Sequence, residues 1–221
     1  MASDENQTAG WNNFWSRKAA NSDELSWSKK RILKIISPLL PGRNKILDAG
    51  CGSGFFSRFF LSENKTVFSI DNSTEALELC RKNVDNKSHL RLLDLTNQSI
   101  SSELATDIDL IFTDGLLEHF SMPMQLKILE NFRESLSANG VVVTIVPNKF
   151  SFWQILRPFY LPGIKEEPLT LRQLEKLHMK AGLKIVLSGG LNVLPAKWSP
   201  ESSLGKYFGM LVYTVAVRVQ R

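Results

Sequence analysis

Four short apolar runs in the first two thirds of the chain each close on or beside an aspartate. Ile46-Leu47 runs into Asp48, Val67–Ile70 into Asp71, Leu90–Leu93 into Asp94, and Ile108–Phe112 into Thr113-Asp114-Gly115. Helical patterns separate them. Residues 55–61 form one, Leu77, Leu79 and Cys80 mark a second, and Leu126, Leu129, Phe132 and Leu136 a third, expected over about 123–138 and stopped by Asn139-Gly140. A fifth run, Val141–Val146, is almost wholly β-branched, as suits a parallel strand covered on both faces. Further strands are expected at 183–187 and 210–219, with a helix between Thr170 and Ala181 opened by the capping box Thr170-Leu-Arg-Gln173. Strands alternating with helices predict an α/β fold, a doubly wound and mostly parallel sheet of seven strands with helices on both faces.

The first of these runs leads into a loop with glycine at three alternate positions, KILDAGCGSGFF over 45–56. A strand, a glycine turn and a helix place free backbone N–H groups beside whatever the turn approaches. A dinucleotide fingerprint would need glycine at 55, where Phe55 stands, and no G-K-[ST] triplet of a P-loop occurs in the chain. No Lys or Arg lies between Ile46 and Ser57, where a phosphate site would gather them. In an open α/β sheet the ligand lies beyond the carboxyl ends of the strands, so the four aspartates fall where a ligand would sit. Acids also cap helices, so each alone has a structural reading too. Asp71 lies 23 residues past Asp48, the spacing at which an acid meets ribose hydroxyls.

ILDAGCGSG, SID and DLIFTDGLLEHF, within residues 45–146, resemble the motifs of class I S-adenosylmethionine-dependent methyltransferases, in their small-molecule branch. The resemblance implies a Rossmann-like methyltransferase fold whose last strand is antiparallel. It implies S-adenosyl-L-methionine as cofactor, with S-adenosyl-L-homocysteine as product. Asp48 would contact the ammonium group or tie down the loop, and the backbone of Gly50, Cys51 and Gly52 would lie against the methionine and ribose. Asp71 would accept the ribose hydroxyls and Asp94 the adenine amino group, with Asn72 and Leu95 flanking the ring. Asp114 would close strand 4 at the methyl group. His119 is the candidate general base, an imidazole being able to exchange protons near neutrality; packing that shapes the mouth is the other reading, and Glu118 would orient the ring. His89 and His178 read as structural. The Asn/Asp-Pro-Pro-Tyr/Phe tetrad of enzymes that methylate DNA bases or glutamine is absent, the position reading Thr113-Asp-Gly-Leu116.

With 221 residues and 43% apolar content, the chain suits one domain: an N-terminal helical and aromatic cap (1–40), a cofactor-binding core (41–146), a substrate-side insertion (147–169) and a sheet-completing end (170–221). Residues 1–10 read as a disordered lead. Trp11, Phe14, Trp15 and Trp27 need a surface to bury against; core packing is the first expectation for them and a lid the second. Ser22-Asp-Glu-Leu25 signals a helix start, and residues 188–209 read as a long loop. Phe150, Phe152, Trp153, Phe159 and Tyr160 of the insertion point to an apolar or aromatic acceptor, with Lys149, Arg157 and Lys165 able to meet an anion. No apolar run is long enough to span a membrane, no secretory h-region opens the chain, and two cysteines give neither a disulfide framework nor a metal spacing, which fits a reducing cytoplasm. The net charge of +5 is concentrated in residues 149–221, which hold eleven basic and four acidic side chains. Peripheral membrane contact, RNA or a protein substrate is compatible with that excess, as is a non-catalytic partner subunit; DNA is not expected.

Overall fold

The computed structural model describes residues 4–17, 26–104, 106–155, 166–194 and 196–219. The elements are α1 (Asp4–Arg17), α2 (Trp27–Ile36), β1 (Lys45–Ala49), α3 (Phe55–Ser62), β2 (Thr66–Asp71), α4 (Thr74–Asn83), β3 (His89–Leu92) and α5 (Ile100–Leu104). There follow β4 (Ile108–Asp114), a 3-10 turn at Leu117–His119, α6 (Met122–Ser135), β5 (Leu136–Pro147), α7 (Leu171–Lys180), β6 (Leu183–Leu191), α8 (Glu201–Phe208) and β7 (Leu211–Arg218). One sheet holds all seven strands in the order β3-β2-β1-β4-β5-β7-β6. The pairs from β3 through β5 are parallel, and β7 runs antiparallel between β5 and β6.

Alternate residues of the strands feed the two faces, the period-two consequence of the pleat. On β5, Val142 and Val146 join a core with Ile128, Leu129 and Phe132 of α6 and Leu174 of α7. Val141, Val143 and Ile145 join the other, with Ile32 and Ile36 of α2 and Phe56 and Phe60 of α3. His178 of α7 is buried against the first core, and its ring nitrogens meet Thr144 Oγ1 (3.0 Å), Thr214 Oγ1 (3.3 Å) and the Leu174 carbonyl (2.9 Å). That is a structural histidine, as the sequence reads it, and burial holds it neutral, its pKa drawn down to about 4. His89 stacks on Phe68 at the start of β3.

Several boundaries differ from expectation, each for a local reason. Residues 4–10, read as a disordered lead, belong to α1. The helix expected to run to Ala138 stops at Ser135, and the pairing of Leu136 with Ile108 starts β5 there, so Asn139-Gly140 lies within the strand. The expected loop at 188–209 is instead the end of β6 and the helix α8. Ser73 caps α4, its Oγ accepting the Ala76 N–H at 3.1 Å. The capping box at Thr170 and Gln173 is formed as expected. The helix-start signal at 22–25, and Arg157, Phe159, Tyr160 and Lys165, lie outside the described residues.

Two glycines set how α8 meets the edge strand. A Cβ on Gly190 would come to 1.9 Å from the Gly205 carbonyl oxygen, so the helix and strand backbones touch. Arg31 of α2 secures the same region from the side. Its guanidinium pairs with Glu201 Oε1 (2.7 Å) and donates to Asn192 Oδ1 (2.9 Å) and to the carbonyls of Leu194 and Ala196. Gly190→Ala is expected to lower stability by about 1–3 kcal/mol, the usual range for overpacking, whereas Gly10→Ala, on a helix with nothing near the new methyl, should be neutral or gain up to about 1 kcal/mol. Denaturant unfolding of the two variants checks this, and equal effects would contradict the packing.

Candidate active site at the switch point of the sheet

Strand order reverses between β1 and β4, and a cavity of about 390 Å³ opens beyond their carboxyl ends. Every residue selected for the cofactor lines it, as does His119, whereas Glu118 and the acceptor-side aromatics Phe150, Phe152 and Trp153 do not. Asp48, Gly50, Cys51 and Gly52 come from the end of β1 and the glycine loop, and Asp71 and Asn72 from the end of β2. Asp94 and Leu95 follow β3, Asp114 ends β4, and His119 closes the 3-10 turn.

The loop is fixed from both sides. Asp71 Oδ2 accepts the Gly52 N–H at 2.9 Å and its Oδ1 the Ser73 N–H at 3.0 Å, so one carboxylate ties the glycine loop to the start of α4. Burial pushes its pKa up, and these N–H donors oppose the shift. Gly54 has φ of +80° and a Cβ there would lie 2.5 Å from Cys80 Sγ, so both conformation and space require glycine. Asp94 is held as a turn acid: its Oδ1 accepts from the Thr96 N–H (2.9 Å) and Thr96 Oγ1 (2.6 Å), and its Oδ2 from Asn97 Nδ2 (2.7 Å).

Asp48 begins a buried chain of hydroxyls. Its Oδ2 meets Ser57 Oγ at 2.6 Å, Ser57 Oγ meets Ser69 Oγ at 2.7 Å, Ser69 Oγ meets Ser88 Oγ at 2.6 Å, and Ser88 Oγ donates to the Val67 carbonyl at 3.0 Å. These are four hydrogen bonds, and the three serines supply three protons. A proton on Asp48 completes the set, each hydroxyl then donating in one direction. Burial acts the same way, drawing the carboxyl up to about 7, aided by the charges of Asp114 and Asp71 and opposed by Ser57. Asp114 is also pushed up to about 7 by burial, with the Lys29 ammonium pulling it back.

The 3-10 turn bearing His119 is braced from inside. Gln125 of α6 is buried, and its Nε2 donates to the carbonyls of Leu117 (3.0 Å) and Phe120 (2.9 Å). The His119 ring packs edge-on to Trp11 at 4.6 Å between centroids, and its Nε2 lies 3.8 Å from Glu118 Oε1. Among the described residues, Glu118, His119 and Glu166 are the group whose donor atoms could hold a metal ion, all lying within 4.8 Å of one another.

The N-terminus contributes to the cavity, which the sequence reading ranked second for its aromatics and did not expect of Lys29. Trp11 and Trp15 of α1 and Lys29 of α2 line the cavity, and Trp15 lies so close over the loop that a Cβ on Gly52 would come within 2.6 Å of its ring. Asn12 Oδ1 accepts from Ser73 Oγ at 2.6 Å, docking α1 against α4. The aromatics therefore cover the mouth, the second expectation for them, rather than filling a core. Their density was the available signal; the fold of α1 back across the sheet edge was not encoded in any period. Lys29 Nζ lies 3.8 Å over the Phe55 ring, bringing a cation into a cavity whose loop has none.

Residues 46–140 match a family model described as a methyltransferase domain. The matched stretch runs from β1 through α6 and so holds the glycine loop and the 3-10 turn. The malonyl-[acyl-carrier protein] O-methyltransferase of Hamiltonella defensa subsp. Acyrthosiphon pisum is 32% identical over 134 residues, 58% of this chain and 48% of that protein. The ubiquinone biosynthesis O-methyltransferase of Actinobacillus pleuropneumoniae is 30% identical over 104 residues, 44% of this chain and 43% of that protein. The chain thus spans about half the length of the curated relatives it matches. In fold it is similar to magnesium protoporphyrin IX methyltransferase from Synechocystis PCC 6803, solved with bound SAM, with a TM-score of 0.67 at 13% identity over 99% of this chain and all of that one (100%).

A carboxyl that holds its proton in the native state up to about pH 7, and loses it near pH 4 when unfolded, stabilises less as pH rises through that window. Asp48 and Asp114 both have this sign; His178, whose folded pKa is drawn down, has the opposite one below about 6.5. Asp48→Asn, whose amide can donate to Ser57, is expected to flatten part of the fall in stability between about pH 4 and 7. Melting temperatures across that range test it, and an unchanged slope would place the proton elsewhere.

Proposed function

We propose that this chain is an S-adenosylmethionine-dependent methyltransferase that transfers a methyl group to an O, C or N nucleophile of a small, apolar or aromatic metabolite. The observation that carries the reading is the cavity at the switch point, lined by acids from four successive strand ends around a glycine loop without a basic residue. That donor set suits a cation with an adenosine and no phosphate, and the cavity fits such a group. Asp71 and Asn72 would hold the ribose, Asp94 and Leu95 the adenine, and Asp48 with the loop backbone the methionine ammonium. Lys29 supplies the complementary charge for an α-carboxylate. When bound, the cofactor supplies an electrophilic methyl group. The chain's own part is alignment: loop, strand ends and α1 fix the ligand and keep water out, while His119 takes the proton from the acceptor. The names of the curated relatives, both O-methyltransferases, favour an oxygen acceptor. Among the described residues no helix is long and apolar enough to cross a membrane, and Cys51 and Cys80 are free thiols. A cytoplasmic placement accords with both.

Saturating S-adenosylhomocysteine should raise the melting temperature, a ligand at one hundred times its Kd contributing about 2.7 kcal/mol, and Asp71→Ala should remove most of the shift. Absence of any shift in the wild type sinks the reading. His119→Ala should lower kcat by about 100-fold while leaving cofactor affinity in place, as loss of a proton acceptor does. Full turnover by that variant would reduce His119 to a packing residue.

A further inference from the structure

A second and larger concavity lies at the same edge of the sheet, over β6, β7, α8 and the N-terminus of α7, and shares no lining residue with the cofactor cavity. Its volume is about 1580 Å³. Four aromatic side chains on its wall stand largely in solvent: Trp198 is 71% exposed, Phe150 69%, Phe208 59% and Tyr207 55%. Asn148 brings Phe150 beside Tyr207 and Phe208, holding the start of the 148–155 segment against the end of α8 by donating to the carbonyls of Tyr207 (3.0 Å) and Gly209 (2.9 Å). Phe152 and Ile155, further along that segment, are 73% and 64% exposed.

The charge around these rings is mainly basic. Lys34, Arg172, Lys197 and Lys206 line the concavity. The two acids on its wall are already engaged, Glu201 with Arg31 (2.7 Å) and the Asn192 N–H (2.9 Å), and Glu175 with Ser188 Oγ (2.7 Å). Aromatic rings left in water beside lysines are the composition of a surface that sits at the headgroup level of a bilayer, rings among the acyl chains and ammonium groups among the phosphates. The chain's basic excess also belongs to residues 149–221.

We infer that this aromatic and basic face docks on an anionic lipid membrane. Trp198, Phe150, Tyr207 and Phe208 insert at the interface, and Lys34, Arg172, Lys197 and Lys206 meet acidic headgroups. The inference does not depend on methyl transfer. Taken with it, docking turns the carboxyl edge of the sheet, where the cofactor cavity also opens, toward the bilayer, and so favours an acceptor that partitions into lipid.

The test is co-sedimentation of the full chain with vesicles of phosphatidylcholine alone and of phosphatidylcholine mixed with phosphatidylglycerol. Binding is expected to the mixed vesicles and to weaken with salt. At about fivefold per lysine, Lys197→Ala/Lys206→Ala should reduce it about 25-fold. Trp198→Ala/Phe208→Ala should also release the protein, and with side chains this exposed the melting temperature should stay at the wild-type value. Failure to sediment with the mixed vesicles, or binding unmoved by both double variants, overturns the inference. So does a concentration-dependent dimer in sedimentation velocity that the aromatic variant abolishes, since a second copy would then own the face. Retained stabilisation by S-adenosylhomocysteine in a chain that ignores vesicles would refute the docking and leave the methyltransferase reading untouched.

Discussion

The switch point depends on a carboxyl buried where water does not reach it. Asp48 stands near the end of β1, beside the point where strand order reverses, and the hydroxyls of Ser57, Ser69 and Ser88 pass its hydrogen bond outward through α3 and β2 to the Val67 carbonyl. A lone ionised acid in that position would be costly; a polar chain that is one proton short makes the neutral acid the better partner. The same chain fixes α3 against β1 and β2, and so fixes the helix onto which the glycine loop opens. Stability and ligand chemistry thus make opposite demands on one group. Burial favours the proton, and a cation bound beside it would favour its loss.

Most of this was legible from two kinds of pattern. Short apolar runs closing on aspartate located β1, β2 and β4 to within a residue or two, because parallel strands covered on both faces leave a largely apolar signature. The acids then located the cavity, since a parallel sheet brings all its carboxyl ends to one edge. What failed was local. Gly140 reads as a helix stop and instead sits in a strand, because pairing of β5 with β4 begins at Leu136 and overrides the turn signal. Glycines at 189 and 190 read as loop and are edge strand, Gly190 because α8 packs backbone to backbone on it and Gly189 because the Tyr213 ring fills its side-chain space. Lys29 and Gln125 were invisible as site residues: one arrives by the docking of α2, the other braces the His119 turn from beneath, and neither has a spacing that announces it.

The aromatic N-terminus gives the cofactor cavity a wall that the sheet does not provide. Trp15 rests on the one glycine whose side-chain space it occupies, and Trp11 on the ring of His119, so α1 touches both the loop and the turn at opposite sides of the cavity. A ligand held there would meet the rings of Trp11 and Trp15 as well as the strand-end carboxyls.

The strand order β5-β7-β6 has a consequence for how the chain is made. β6 is complete by residue 191, yet its only partner in the sheet is β7, which begins at residue 211 and must slip between two strands already synthesised. Until it arrives, β5 and β6 each present an open edge, β6 lying two strand positions from its nearest finished neighbour. β7 is therefore the keystone of that half of the sheet. A chain delayed before it emerges exposes two unpaired edges at once.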